Sequence, residues 1–116
     1  MVDKDGNAVA VTYTLNTTFG SGIVAGNTGI LMNNEMDDFS AKPGVPNVFG
    51  VVGNEANSIA PGKRMLSSMT PSLLVKDNQV ELVVGTPGGS TIITSIFQVI
   101  TNLFDFKMPL QQAVVS

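Results

Sequence analysis

The chain predicts an α+β fold built on an antiparallel sheet. Residues 8–15 alternate along a β-rich run, residues 73–84 hold two apolar runs around a polar turn, and residues 90–104 carry apolar side chains at helical spacing. Taken in order, strand, loop, hairpin, helix and helix suit layers of helix against an antiparallel sheet.

Asp3-Lys4-Asp5-Gly6-Asn7 reads as a turn, and Ala8 to Leu15 as the strand that follows it. From Asn16 to Gly29 the glycines at 20, 22, 26 and 29 predict a structured loop with little regular pairing. Ile30-Leu31-Met32 predicts a short strand, and Asn34 to Phe39 a single helical turn capped by Asn34. Between Ser40 and Gly62, prolines 43, 46 and 61 and glycines 44, 50, 53 and 62 mark a long excursion without periodicity. Leu73-Leu74-Val75 and Glu81-Leu82-Val83-Val84 then flank Lys76-Asp77-Asn78-Gln79 as an antiparallel hairpin. Ile92, Ile93, Ile96, Phe97, Ile100, Leu103 and Phe104 recur at three- and four-residue steps, with Ser95, Gln98, Asn102 and Asp105 opposite, which predicts an amphipathic helix of about four turns. A second helix runs to Val115, with Pro109 suited to its first turn.

The 116 residues suffice for one domain with a core, and are read as one partial domain, 1–116. Hydrophobic residues make up 43% and charged residues 13%, and the mean hydropathy of +0.27 is high enough to suggest apolar surface that meets a partner. The net charge is −3 and the six basic residues are scattered, so no stripe exists to neutralise phosphates and nucleic acid is not an expected partner. There is no cysteine and no histidine. Thiolate catalysis, disulfides and the commonest metal ligands are thereby excluded, which leaves hydroxyls, carboxylates, amides and backbone; no cofactor and no metal site is expected. The polar start Met1-Val2-Asp3-Lys4-Asp5 lacks the apolar core of a signal peptide, and a turn so close to the start suggests a fragment.

Six motifs bear weighing. Gly20-Ser21-Gly22-Ile23-Val24-Ala25-Gly26 has the glycines of a dinucleotide fingerprint, but Asn27-Thr28-Gly29 breaks the helix that should follow. Asp3-Lys4-Asp5-Gly6 opens like a calcium loop without its distal acidic ligand, and Asn16-Thr17-Thr18 fits a glycosylation sequon with nothing to support it. Asn33-Asn34-Glu35-Met36-Asp37-Asp38-Phe39 is either a solvated turn or a pocket for a cation such as a substrate ammonium. Ser67-Ser68-Met69-Thr70-Pro71 is either a loop entering a strand or a pair of neutral donors for a carboxylate. Thr86-Pro87-Gly88-Gly89-Ser90 lies between a strand end and a helix start; it is either a tight turn or an oxyanion hole of main-chain N–H groups, open because neither glycine has a Cβ.

In order, these stretches resemble the small subunit of gamma-glutamyltransferase, also called gamma-glutamyl transpeptidase or glutathione hydrolase. VDKDGNAVAVTYTLNTTFGSGIVAGNTGILMNNEMDDFSAKPGVPNVFG, KRMLSSMTPSLL and VVGTPGGSTIIT carry the resemblance over nearly the whole chain. It implies the αββα sandwich of the N-terminal nucleophile hydrolases, matured by self-cleavage into two subunits. It also implies transfer of a gamma-glutamyl group from glutathione to water, an amino acid or a dipeptide. An amino-terminal threonine would attack, with its own amine as base and an acyl-enzyme as intermediate.

Carried over by position, Gly88 and Gly89 would supply the oxyanion hole, and Thr14 would orient the nucleophile's hydroxyl. Ser67 and Ser68 would bind the glutamyl α-carboxylate; Asn16, Glu35 and Asp38 would hold its α-ammonium. The family's Thr-Thr-His-x-Ser segment, which precedes the Val-Asp found here as Val2-Asp3, is replaced by Met1. The chain alone is therefore expected to be inactive and, without its large subunit, to self-associate. The resemblance alone suggests a periplasmic or extracellular location. Two other readings are a related acylase of the cephalosporin-acylase kind and a noncatalytic binding or assembly module on the same scaffold.

Overall fold

The computed structural model describes residues 1–116. They form two compact units. The first combines Met1–Thr12 with Ser68–Ser116, and the second is the continuous stretch Tyr13–Ser67.

In the first unit the predicted hairpin forms as β1 (Ser72–Lys76) and β2 (Gln79–Val84), paired antiparallel. Only Asp77 and Asn78 separate the strands, both at positive φ (50° and 60°). That left-handed pair twists in the sense of the flanking strands, and Asp and Asn tolerate it better than other side-chain-bearing residues. The register runs from Ser72 opposite Val84 to Leu74 opposite Leu82, then shifts so that Val75 faces Val80, leaving Glu81 as the extra residue of a bulge.

After the hairpin a 3₁₀ turn, Gly89–Thr91, leads into α1 (Ile92–Phe104). Ile92 and Ile96 are buried one helical turn apart, as the spacing predicts. Ile93 and Phe97 are not: Phe97 is 70% exposed, so the apolar stripe of α1 is wider than what these residues cover. Thr101 O accepts from both Asp105 N and Phe106 N, Lys107 turns the chain at φ 56°, and α2 (Leu110–Val115) begins directly after Pro109. Asn102, 2% exposed, joins the two helices. Its Nδ2 donates to Ala113 O (3.3 Å), its Oδ1 accepts from Gln98 Nε2 (2.8 Å), and its carbonyl accepts from Met108 N (2.9 Å). Neither helix is long and apolar enough to cross a membrane.

The strand predicted over residues 8–15 does not form. Only Val2 and Ala8 make a bridge, closing the Asp3 turn, and residues 9–15 lie in no ladder. The strand's alternation survives in exposure: Ala8, Ala10 and Thr12 are half-buried while Val9, Val11 and Tyr13 face outward, Tyr13 at 83%. A strand needs a hydrogen-bonded neighbour as well as a pattern, and beyond Val9, which exchanges backbone bonds with Met1, no paired strand accompanies these residues. In the turn itself, the Asp3 carboxylate accepts from Asp5 N, Asn7 N and Asn7 Nδ2. Those bonds, Asn7's first, hold its pKa below the ordinary value.

In the second unit, Val24 and Leu31 make a single bridge where a short strand at residues 30–32 was predicted. Backbone bonds from Ala25 N to Ile30 O, Met32 N to Ile23 O and Ser21 N to Met32 O flank it. A Cβ on Gly20 would collide with the carbonyl oxygen of Met32, so this glycine permits a close backbone approach rather than a phosphate contact. The excursion over residues 40–62 is pinned by asparagine side chains. Asn47 Oδ1 accepts from Phe49 N and Val51 N, Asn54 Oδ1 from Ala56 N, and Asn57 ties Asp38 O (2.7 Å) to Leu66 N (3.0 Å). Phe39 and Ser40 are buried beside that clamp.

Candidate functional site

The acidic turn lies in the second unit. Glu35–Asp38 form one 3₁₀ turn, and each neighbouring polar group has a separate task. Asn33 Oδ1 accepts from Glu35 N (3.0 Å), the local bond that starts the turn. Asn34 occupies the N-cap position but its side chain does not cap, contrary to the sequence expectation. It reaches back to the loop, where its Oδ1 accepts from Thr17 N (3.3 Å). Asp37 Oδ2 accepts from Val48 N (3.2 Å).

Glu35 and Asp38 remain as a facing pair. The hydrogen bond to Asp38, burial and Asp38's charge together push the Glu35 carboxyl up to about 7. Glu35 Oε2 is buried and has no hydrogen-bond partner. A Glu35 carboxyl raised this way favours a proton, or a cation in its place.

Asn16 is fixed in the same unit. Its φ is 77°, its N–H donates to Thr14 Oγ1 (2.8 Å), and its Nδ2 donates to Asn34 O (3.2 Å). The structure thus brings Thr14 and Asn16 to the residue that begins the acidic turn. Ser67 closes this unit.

The first unit carries the other set. Gly88 (φ 148°) and Gly89 (φ 55°) both lie on the glycine side of backbone space. Gly88 O accepts from Thr91 N (3.1 Å) and Thr91 Oγ1 (2.8 Å). A trans peptide points its N–H opposite its carbonyl, so with Gly88 O drawn toward Thr91, the Gly89 N–H projects the other way. The first N–H groups of a helical segment also have no acceptor within it. Ser68 Oγ donates to Gly89 O (2.9 Å), which joins Ser68 to the double glycine. The arrangement offers main-chain donors for an anion in one unit and a carboxyl pair for a cation in the other.

Sequence reasoning missed Thr91, Asn57 and the backward reach of Asn34. An asparagine immediately before an acidic run was the available signal for the last. No group of three His, Cys, Asp or Glu residues lies close enough together to hold a metal ion.

The sequence matches the gamma-glutamyltranspeptidase family over residues 1–116. A glutathione hydrolase proenzyme of Pseudomonas aeruginosa is 66% identical over 116 residues, covering all of this chain and 21% of that protein. The glutathione hydrolase proenzyme of Escherichia coli is 64% identical over 113 residues, 97% of this chain and 20% of that protein. Among solved structures, the gamma-glutamyltranspeptidase of Pseudomonas nitroreducens complexed with L-DON superposes with a TM-score of 0.94 at 66% identity, covering 98% of this chain and 59% of that one. The chain therefore spans about a fifth of the length of the curated relatives it matches. It belongs to the gamma-glutamyltranspeptidase family.

Proposed function

We propose that the intact protein cleaves the gamma-glutamyl amide of glutathione or a related compound and passes the glutamyl group to water, an amino acid or a dipeptide. Because this chain spans about a fifth of its relatives' length, the attacking threonine is assigned to the rest of the protein. The threonine hydroxyl attacks the γ-carbonyl carbon and its proton passes to the threonine's own amine. The oxyanion is held by the N–H groups of Gly88 and Gly89. Collapse expels the amine, which takes the proton, and leaves a glutamyl ester that water or an acceptor amine then attacks. Ser67 and Ser68 receive the α-carboxylate; Asn16, Glu35 and Asp38 receive the α-ammonium; Thr14 orients the nucleophile.

The observation that carries this reading is the Ser68 to Gly89 hydrogen bond. It ties Ser68 to the backbone that would polarise the scissile carbonyl, and the single hydroxyl proton would turn from Gly89 O to the α-carboxylate when substrate binds. The test is turnover of gamma-glutamyl-p-nitroanilide against glutaryl-p-nitroanilide by the intact protein. Strong preference for the glutamyl compound is expected, because only that group presents an ammonium to Glu35 and Asp38. Preference for the glutaryl compound overturns the reading in favour of an acylase.

A further inference from the structure

Asn34 departs from the local rule for its position. An asparagine at an N-cap ordinarily turns its side chain onto the helix N–H groups that follow. Here Asn33 serves that end by accepting from Glu35 N, and the Asn34 side chain spans to a residue 17 positions earlier. Four bonds meet on this one residue. Its N–H donates to Leu15 O (3.2 Å), its carbonyl accepts from Asn16 Nδ2 (3.2 Å) and Asp37 N (3.1 Å), and its Oδ1 accepts from Thr17 N (3.3 Å). Thr17 Oγ1 also lies 3.5 Å from that Oδ1, but its proton goes to Gly20 O at 2.8 Å. Asn16 itself sits at φ 77°, a conformation with little intrinsic preference to keep it there.

We propose that Asn34 is a positioning residue for recognition of the substrate's ammonium, setting the Asn16 carboxamide at a fixed distance from Glu35 and Asp38. The inference rests on the functional reading above. Asn34 touches no substrate in this account. Its carbonyl orients the amide end of Asn16, which leaves Asn16 Oδ1 as a lone acceptor aimed by its neighbour. Its side chain holds Thr17, as its N–H holds Leu15, to the start of the acidic turn. Without that clip, Asn16 and the carboxyl pair remain but their spacing relaxes, and a cation requiring all three loses affinity.

The experiment uses the intact protein with Asn34→Ala and Asn34→Asp, the latter keeping an oxygen for Thr17 N–H. KM and kcat are measured for gamma-glutamyl-p-nitroanilide, inhibition constants for L-glutamate and for glutarate, and the melting temperature for each variant. Loss of about one hydrogen bond's worth of positioning predicts a rise in KM of roughly five- to tenfold for Asn34→Ala, with kcat changed less than about threefold. L-glutamate inhibition weakens in parallel, glutarate inhibition stays as in the parent, and Asn34→Asp recovers most of the loss. An equal fall for glutamate and glutarate, or Asn34→Asp no better than Asn34→Ala, overturns the proposal. If Asn34→Ala fails to fold, Asn34→Asp decides by itself: wild-type discrimination between glutamate and glutarate supports the proposal, and lost discrimination at an unchanged melting temperature overturns it. If the parent protein neither turns over the glutamyl anilide nor distinguishes glutamate from glutarate, the functional reading fails instead.

Discussion

Ser68 Oγ donates to the carbonyl oxygen of Gly89 at 2.9 Å, a bond between residues 21 positions apart. It secures the double glycine from outside the turn, while Thr91 secures Gly88 O from within. On the proposed function, the Ser68→Ala variant of the intact protein should lose the restraint on Gly89 in the empty site and, where the single hydroxyl proton turns to substrate, the carboxylate contact. A fall in kcat/KM of about tenfold or more is expected, with kcat as well as KM affected, since one hydrogen bond to a charged group contributes roughly 1.5–3 kcal/mol. Steady-state kinetics with gamma-glutamyl-p-nitroanilide measure it, and a pure KM effect would separate Ser68 from the oxyanion backbone.

The glycine positions divide by what surrounds them. A Cβ on Gly88 would stand 2.9 Å from Thr91 Oγ1, whereas one on Gly22 (φ 71°) would meet nothing within 4 Å. Gly22→Ala should cost about 1–2 kcal/mol for its left-handed backbone alone. Gly88→Ala should cost more than Gly22→Ala and should also displace the Thr91 clamp. Urea midpoints of the two variants, compared in the intact protein, give the ordering.

Glu35 sets a pH dependence. Its carboxyl is pushed up to about 7 from an ordinary 4.5, with the hydrogen bond to Asp38 the leading cause. A raised carboxyl pKa means that the proton on Glu35 stabilises the empty fold below the ordinary value, and this contribution is lost as pH rises through about 7. Substrate affinity runs the opposite way. An ammonium replaces that proton, so KM for a gamma-glutamyl donor should fall as pH is raised from about 5.5 to 8. In Glu35→Gln that slope should flatten while KM rises throughout. A slope unchanged in the variant would assign the titration elsewhere.

The 116 residues expressed alone should self-associate. Val11, Tyr13, Phe97 and Phe106 are between 65% and 83% exposed, and residues 9–15 keep a strand's alternation without a strand's partner. Light scattering across a concentration series should show growing mass. A monodisperse monomer at high concentration would contradict this.

Asn102 should matter to stability out of proportion to its size. Removing its side chain leaves Gln98 Nε2 and Ala113 O to find other partners at a residue that is 2% exposed. Asn102→Ala is expected to destabilise by about 2–3 kcal/mol and to accelerate hydrogen exchange selectively in α2.

How much of this was legible in the sequence depended on the range of the forces involved. The hairpin at Asp77-Asn78 and the 3.6-residue period of α1 are local, and both were read to within a residue or two. The strand at 8–15 was misread because its alternation is local and its pairing is not. Asn34 was assigned to its nearest backbone neighbours and instead bonds across 17 positions. The Ser68 to Gly89 bond belongs to the same class: residue types suggested both motifs, yet no spacing rule joins residues 21 apart. Thr91 was invisible for the opposite reason, since a threonine in the first turn of a helix is common and only the carbonyl it holds makes it informative.

The division of the chain has a consequence for synthesis. Tyr13–Ser67 is uninterrupted, whereas the unit around it draws on Met1–Thr12 and Ser68–Ser116. As the polypeptide leaves the ribosome, the inner stretch can complete its contacts first, while residues 1–12 wait for Ser68–Ser116 to be translated. Slowing translation just after Ser67 should lengthen that interval and, with it, the opportunity for chaperones to engage residues 1–12.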